Sequence, residues 1–303
     1  DNMASLGTLL VVDGAPVSND ANMQFLKTTG ASATGVTAGF ATSASGGTDV
    51  RQIAVDNIET IEVVRGIAGV ENGDILSGAV KVTMKKGRTP FTAKIKTDPG
   101  IKQFYAGKGL ALGDKAGTLN LDFDLTQSFD DIRVRYKTFN RLNGGIIYNN
   151  TIFRDKKPLT FSLSARAYQT RDVNKNDPDM LDIEDYESRD QGLSVNFNTK
   201  WALNSKVLTN LNFMVSGDIQ HQVGHEVTLE QIPSGAQPQP VALEPGENQV
   251  PILPSSYLSD LTIDGRPYYF NAKLSGNRSF NIGKVLNNIV AGAEWKLYGN
   301  NGL

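Results

Sequence analysis

The stretch Leu119-Asn120-Leu121-Asp122-Phe123-Asp124-Leu125-Thr126 has apolar residues at its odd positions and polar residues at its even positions. Side chains of a β-strand point alternately to opposite faces, so this stretch predicts a strand with one apolar and one polar face. The same alternation recurs further along the chain, at residues 159–167, 193–201, 211–216, 270–274 and 289–297. About nine strands are predicted once three weaker segments are added, at 91–97, 101–113 and 139–152.

The length of these strands and the rhythm of their turns favour a membrane barrel over a soluble fold. Several strands run for about ten residues or more, which is enough to cross a bilayer at a tilt, whereas soluble strands cluster near five or six. Short and long connections also alternate, as expected for periplasmic turns on one rim and outer loops on the other. The short connections are at 114–117, 154–158, 204–207 and 281–287. The long connections are at 129–138, 172–188 and 228–267.

Two observations keep a soluble two-sheet sandwich open as the alternative. The first connection, Asp98-Pro99-Gly100, is short where the rhythm requires a long one. Alternation by itself also fits a strand of a sandwich, whose apolar face is buried against a second sheet.

In a barrel, the phase of the alternation predicts which side chains meet lipid and which point into the lumen. The residues expected to face lipid include Leu119, Phe123, Phe161, Val195 and Trp295. Those expected to face the lumen include Asn120, Asp124, Ser162 and Asn196. The connection 228–267 is expected on the cell surface.

Residues 1–90 differ in character, since short apolar runs alternate there with loops rich in Gly, Ser and Thr. Three short strands are predicted in this part, at residues 8–12, 61–64 and 79–84. Asp56 and Asn57 are suited to cap a short helical turn before the second of these strands. The chain is therefore predicted to contain two domains, at residues 1–90 and 91–303.

The composition excludes several classes of protein. The 303 residues are 39% hydrophobic, which excludes a disordered chain. With 30 Lys and Arg against 32 Asp and Glu, there is no basic surplus to bind a nucleic acid. Cysteine is absent, so disulfides, thiolate metal sites and cysteine nucleophiles are excluded. No apolar run approaches the roughly 18 residues of a transmembrane helix.

Candidate metal ligands are few. His221 and His225 are spaced as zinc ligands on a helix would be, but on the predicted strand four residues span about 13 Å, too far for one ion. A weak calcium candidate is formed by Asp172, Asn174 and Asn176 in an acidic segment. That segment departs from the EF-hand pattern, and a solvated outer loop is the plainer interpretation.

No catalytic site is predicted. The carboxylates Glu59, Glu62 and Glu71 have no recognisable serine, histidine or paired-acid partner. The chain is therefore not expected to be an enzyme, and no cofactor is predicted.

Four runs near the end of the first domain carry a family signature. They are Asn57-Ile58-Glu59-Thr60-Ile61-Glu62-Val63-Val64-Arg65-Gly66, Val70-Glu71-Asn72-Gly73-Asp74, Ser77-Gly78-Ala79-Val80 and Lys85-Lys86-Gly87. In this order and spacing they resemble the end of the plug domain of TonB-dependent outer-membrane transporters. Residues 10–17 are similar to an earlier plug strand and turn, and residues 96–109 are similar to the start of the barrel in transporters of the Bacteroidetes type.

The resemblance implies a mainly β chain, in which the later part of an α/β plug domain (1–90) precedes the N-terminal part of a transmembrane β-barrel (91–303). Such barrels have about 22 strands around a plugged lumen, and nine strands cannot close one, so the chain is expected to be a fragment.

The function implied is active import of a large, scarce nutrient across the Gram-negative outer membrane. The expected partners are the TonB energy-transducing complex, engaged through a TonB box missing from this chain, outer-membrane lipid, a nutrient ligand and a surface lipoprotein. A passive porin and a secreted β-sandwich that acts in binding or adhesion remain as alternatives.

The resemblance also implies roles for three residues. Phe25 and Phe40 would contact the ligand from plug loops, the alternative being that they anchor those loops to the plug. Arg65 matches a plug arginine that forms an ionic lock with barrel glutamates. Its alternative is a local pair with Glu62 or Glu71.

Overall fold

The protein was analysed as a computed structural model, which describes residues 8–17, 53–65, 78–113, 115–129, 131–133, 137–175, 184–205, 207–231, 235–238, 249 and 251–302. Within these ranges the chain is almost entirely β-structure, mostly antiparallel, with one 3-10 turn at Val55–Asn57 and no α-helix. None of the helical structure in these ranges is long and apolar enough to cross a membrane.

Four short strands form the first sheet. They are β1 (Thr8–Val12), β2 (Ala15–Val17), β3 (Ile58–Arg65) and β4 (Gly78–Met84). The order across the sheet is β2-β1-β4-β3, with β1 and β4 parallel and the other neighbours antiparallel. The strands predicted at 8–12, 61–64 and 79–84 are confirmed, while β2 begins inside the stretch that resembled a turn.

Ten strands form the second sheet. They are β5 (Thr89–Thr97), β6 (Ile101–Gly113), β7 (Gly117–Phe129), β8 (Lys137–Ile152), β9 (Leu159–Asn174), β10 (Glu184–Ala202), β11 (Asn210–Gln231), β14 (Ser256–Gly265), β15 (Pro267–Ile282) and β16 (Val285–Asn300). A separate pair is formed by β12 (Gln237–Pro238) and β13 (Ile252–Leu253). Neighbours in the second sheet are antiparallel and follow the chain order, except that both β14 and β15 pair with β11. β14 and β15 pair with β11 in the same register, so the two strands together form one line in the sheet, with a break at Arg266.

The long connections are shorter than predicted because the strands extend beyond the predicted segments. β11 has 22 residues and reaches Gln231, and β14 lies inside the stretch 228–267, so the prediction of one long loop there is wrong. The alternation continues along β11 as far as Leu229, whereas at the end of β9 and the start of β10 mostly polar residues occur on both faces and give no hydrophobic period. The short connections at 114–117, 154–158, 204–207 and 281–287 are confirmed in position, but the last is narrower, because only residues 283–284 separate β15 from β16.

The two faces of the second sheet differ as the alternation predicts. On β7, the side chains of Leu121, Phe123 and Leu125 are 40–49% exposed, whereas Asn120 and Asp124 on the other face are buried. Val195 and Trp295 are likewise exposed and Asn196 is buried. The other residues of the prediction, Leu119, Phe161 and Ser162, are half-buried and do not distinguish the two faces. Within the described ranges no second sheet covers the apolar face, which argues against a sandwich core.

The first sheet lies against the polar face of the second. Leu10, Val82 and Met84 of the first sheet form a small buried cluster with Ile147 of β8, which is 1% exposed. Beside this cluster, hydrogen bonds join the two sheets, and they form the candidate functional site.

Candidate functional site: the interface between the two sheets

The 3-10 turn at Val55–Asn57 makes the first group of contacts. Asp56 accepts hydrogen bonds from Lys94 Nζ at 2.7 Å and from Gln103 Nε2 at 2.9 Å. Asn57 Nδ2 donates to Asp122 Oδ1 at 2.5 Å. One turn of the first sheet is thereby bonded to three neighbouring strands of the second, β5, β6 and β7.

The expectation that Asp56 and Asn57 cap a helical turn is wrong. Both lie inside the 3-10 turn, and its N-cap is Ala54, which makes no side-chain cap hydrogen bond. An N-cap residue precedes the first residue of its helix, so residues inside the turn cannot cap it. The two polar side chains instead bind partners on the second sheet, 38 to 65 residues further along the chain.

A buried ion pair lies beside this turn. Arg141 donates through Nε and Nη2 to Asp124 Oδ1 at 2.9 and 2.6 Å, and the two side chains are 9% and 0% exposed. Gln103 Nε2 donates to Asp124 Oδ2 at 2.7 Å as well as to Asp56, which its two hydrogens permit. Arg141 Nη1 also donates to the backbone oxygen of Ile53 at 3.4 Å. The network is therefore continuous from the first sheet into the second.

The β1–β2 turn makes the second group of contacts. The backbone oxygen of Asp13 accepts from Asn196 Nδ2 at 3.2 Å and from Asn198 Nδ2 at 2.6 Å, both on β10. Its carboxylate accepts from the backbone of Met84 at 3.1 Å and pairs with Lys86 Nζ at 3.0 Å. The side chain of Asp13 thus holds the turn within the first sheet, while its carbonyl joins the turn to the second.

A cavity of about 80 Å³ lies beside the second group of contacts, between the first sheet and strands β9 to β11. Its apolar lining includes Leu10, Val12 and Val17 of the first sheet. Its polar lining comes from β9, β10 and β11 and includes Arg166, Ser194, Asn196, Ser216 and Asp218. The interface is therefore incompletely packed on the side of β10 and β11.

The opposite, apolar face of the second sheet carries a row of aromatic rings near the short turns. Ring centroids are 5.8 Å apart for Tyr148 and Phe161, 6.3 Å for Phe161 and Phe197, and 6.5 Å for Phe197 and Phe213. The row crosses β8 to β11. Aromatic rows of this kind are typical of the membrane–water interface of outer-membrane barrels.

Two predicted ligand contacts, Phe25 and Phe40, lie outside the described residues. Arg65 is at the end of β3, where it is exposed and its backbone is opposite Gly78. None of the ion pairs found among the described residues involves Arg65, so its lock with barrel glutamates stays a prediction.

The calcium candidate stays a prediction. Asp172 and Asn174 are at the end of β9, and Asn176 is outside the described ranges. In the part of the chain that the structure describes, no three His, Asp or Glu side chains are grouped to hold a metal ion. His221 and His225 lie on β11, as the predicted strand requires, and bond separately to Asp264 at 3.1 Å and Asp260 at 2.9 Å on β14.

No known family model matches the sequence, and no curated protein is detectably similar to it. Among solved structures, the chain is similar to two mutants of the ferric enterobactin receptor of Pseudomonas aeruginosa, at 13% and 12% identity with TM-scores of 0.41 and 0.42. It is also similar to the siderophore receptor of Acinetobacter baumannii, at 12% identity with a TM-score of 0.40. These alignments cover 98–99% of this chain but 50–54% of the others, so the chain spans about half the length of the structures it matches. Likeness at this level does not identify a function.

Proposed function

We propose that the chain contains the later plug and the first barrel strands of a TonB-dependent transporter, which actively imports a large, scarce nutrient across the outer membrane of a Gram-negative bacterium. One observation carries this proposal. A small mixed sheet is bonded through buried side chains to the polar face of a long antiparallel sheet, whose other face exposes apolar side chains. In the family that residues 57–87 resemble, a plug occupies the lumen of a barrel in this arrangement.

The exposed apolar face supports a location in the membrane. Side chains such as Phe123, Val195 and Leu274 are 41–47% exposed, and in water this surface would favour aggregation. In a bilayer the same surface contacts lipid, and the row from Tyr148 to Phe213 would mark one edge of the hydrocarbon region.

The polar interface supports a plug that can be displaced and can return. A hydrogen bond exchanged for one with water changes the free energy by only about 0.5–1.5 kcal/mol. Contacts such as those of Asp56 and Asn198 can therefore break and re-form during each transport cycle. A largely apolar interface would resist separation much more strongly, because separation would expose its surface to water.

The first sheet also favours active transport over a passive porin. A porin requires an open lumen, whereas here the polar face of β7 to β10 is occupied by the first sheet. On this proposal the energy complex acts through a TonB box, Phe25 and Phe40 lie on loops that meet the nutrient, and Arg65 forms a lock with barrel glutamates. A surface lipoprotein is a further partner on this proposal, as expected for a transporter of the Bacteroidetes type.

The proposal is tested by expressing the full-length gene in a Gram-negative host with and without a functional TonB protein. We expect the protein in the outer-membrane fraction, and growth on its nutrient that is lost without TonB. Growth that is independent of TonB would indicate a porin, and a protein found in the soluble fraction would indicate a secreted sandwich.

A further inference from the structure

Five side chains that carry hydrogen-bond donors form a line across the apolar face of the second sheet. They are Lys102, Gln127, Asn140, Arg171 and Arg189, one on each strand from β6 to β10. Each of them is directly opposite the next in the register of the strands. We refer to these five side chains as the donor line.

The donor line borders the apolar surface of the sheet. The neighbouring line on the same face contains Phe104, Leu125 and Leu142, which are opposite one another and 39–49% exposed. On β9, Arg171 comes ten residues after Phe161, which belongs to the aromatic row near the short turns. A strand of about 9–11 residues, tilted by about 45°, crosses the hydrocarbon region of a bilayer. The aromatic row and the donor line are therefore spaced as the two edges of that region.

Positive charge exceeds negative charge where the donor line crosses β9 and β10. Arg171 and Arg189 are both exposed and directly opposite each other, a position in which like charges repel. Arg171 Nε donates to Glu187 Oε1 at 2.8 Å. With the amide of Gln169 turned to face it, Arg189 donates through Nε and Nη2 to the amide oxygen, both at 3.1 Å. One carboxylate thus serves two guanidinium groups, so an anion bound between them would be stabilised.

The nearest further acids on this face are already paired or are distant. Asp264 bonds to His221 at 3.1 Å and pairs with Arg266 at 3.5 Å. Asp185 is four residues from Arg189 along β10, which is about 13 Å. None of the ion pairs found among the described residues involves Arg189.

Lys102 adds a third cation at the other end of the donor line. It is exposed, and its ammonium group is 5.9 Å from the centroid of the Phe129 ring. Within the described ranges its ammonium group forms no ion pair. The donor line therefore contains three cations and two neutral amides along the border of an apolar surface.

We propose that the donor line binds the phosphate groups of the glycolipid that forms the outer leaflet of the Gram-negative outer membrane. Short turns mark the periplasmic rim of an outer-membrane barrel, so the donor line is at the level of the outer leaflet. Guanidinium groups bind phosphate with several charge-assisted hydrogen bonds. The apolar side chains beside the line contact the acyl chains of the same molecule, an interaction that a free anion could not make. The inference rests on the proposed membrane location.

The test compares binding of phosphorylated lipid A with binding of enzymatically dephosphorylated lipid A. Full-length protein is purified from the outer membrane and stripped of lipid in a mild detergent. We expect the wild type to bind the phosphorylated form more tightly. The double variant Arg171→Gln, Arg189→Gln should weaken that binding by about tenfold or more, because its charge-assisted contacts to phosphate are lost. Binding of the dephosphorylated form should not change.

Arg278→Gln is the matched control. Arg278 is an exposed arginine on the same face of the sheet, but it is near the short turn between β15 and β16, where it lies 5.3 Å from the Phe280 ring. This variant should bind phosphorylated lipid A as the wild type does. Circular dichroism checks the folding of each variant, and Arg189→Gln alone serves if the double variant does not fold.

Equal binding by the wild type and the double variant would overturn the proposal. So would equal binding of the two forms of lipid A, or an equal loss in Arg278→Gln. Release of bound lipid A by inorganic phosphate would indicate a site for free phosphate instead. A protein that is found in the outer membrane but does not bind phosphorylated lipid A would overturn this inference and leave the transport proposal intact. A protein found in the soluble fraction would overturn both.

Discussion

At the scale of single residues, the chain contains two Arg–Asp pairs with the same separation in different surroundings. Arg141 and Asp124 are 2.6 Å apart and at most 9% exposed, whereas Arg133 and Asp131 are 2.6 Å apart with the arginine 84% exposed. Removing one partner of a buried pair leaves an uncompensated charge, while an exposed charge is solvated by water. The two pairs therefore separate the effect of burial from the effect of distance.

We predict that Arg141→Ala lowers the free energy of unfolding by about 3–5 kcal/mol, because Asp124 loses its counter-charge while it stays buried. Arg133→Ala, the matched control, should leave unfolding unchanged. Denaturant unfolding of the full-length protein in detergent measures both. Equal midpoints for the two variants would show that Asp124 is not stabilised by Arg141.

The sequence predicts the face on which Asp124 lies but not its partner. The alternation of residues 119–126 places Asp124 on the polar face, which the structure confirms. Arg141 comes 17 residues later, and it reaches Asp124 only because Arg141 is opposite Thr126 in the register of β7 and β8. Register depends on the pairing of whole strands, which a local pattern does not contain.

At the scale of elements, aromatic rings cover glycines on neighbouring strands. A Cβ added to Gly192 of β10 would lie 2.6 Å from the ring of Tyr168, directly opposite on β9. Phe270 covers Gly217 and Tyr268 covers Gly299 in a similar way. Such pairs fill the space above a glycine and help to fix strand register.

We predict that Gly192→Ala destabilises the second sheet by about 1–3 kcal/mol, because the ring of Tyr168 must leave its position. Gly144→Ala on β8 is the control, since the nearest atom to its added Cβ is 3.7 Å away. Reversible unfolding in detergent compares the two. A loss of stability that is the same in both variants would show that the ring above Gly192 is not responsible.

The sequence predicts which segments of the second sheet form strands better than it predicts how long those strands are. Nine of the ten strands of the second sheet fall on predicted segments, and β14 was missed. The pairing of β14 with β11 runs through residues 222–231, where Val223, Val227 and Leu229 continue the apolar alternation and His225 interrupts it. This interrupted alternation is a weaker signal than that of residues 211–216, so the predicted strand ends before β14.

At the scale of the whole molecule, the contacts that hold the first sheet to the second join distant parts of the chain. Asn57 and Asp122 are 65 residues apart, and Asn196 and Asp13 are 183 apart. From the resemblance of residues 57–87 to a plug, Arg65 is predicted to contact the barrel, and that contact stays a prediction. The structure shows Asp13, Asp56 and Asn57 at the interface. Their side chains carry no local pattern that distinguishes them from ordinary turn residues.

Asp56 provides the test of this interface in the transport proposal. It accepts hydrogen bonds from Lys94 and Gln103, and Lys94 is 51% exposed, so water can replace the lost partner. Asp56→Ala removes two contacts of about 0.5–1.5 kcal/mol each from the docked state. A change of 1.4 kcal/mol is tenfold in an equilibrium constant, so a loss of about 1–3 kcal/mol should make the undocked plug roughly 5- to 140-fold more populated. The amount of folded barrel should not change.

We therefore predict that cells producing full-length Asp56→Ala admit large antibiotics that the wild type excludes. Asp98→Ala is the matched control, because Asp98 lies in the turn of the β5–β6 hairpin. Among the described residues its side chain bonds only within that hairpin, to the backbones of Gly100 and Ile101 and to Lys96. Antibiotic sensitivity is measured at equal amounts of folded protein in the outer membrane. If Asp56→Ala cells are no more sensitive than Asp98→Ala cells, the 3-10 turn does not hold the plug, and Arg65→Ala becomes the variant to examine.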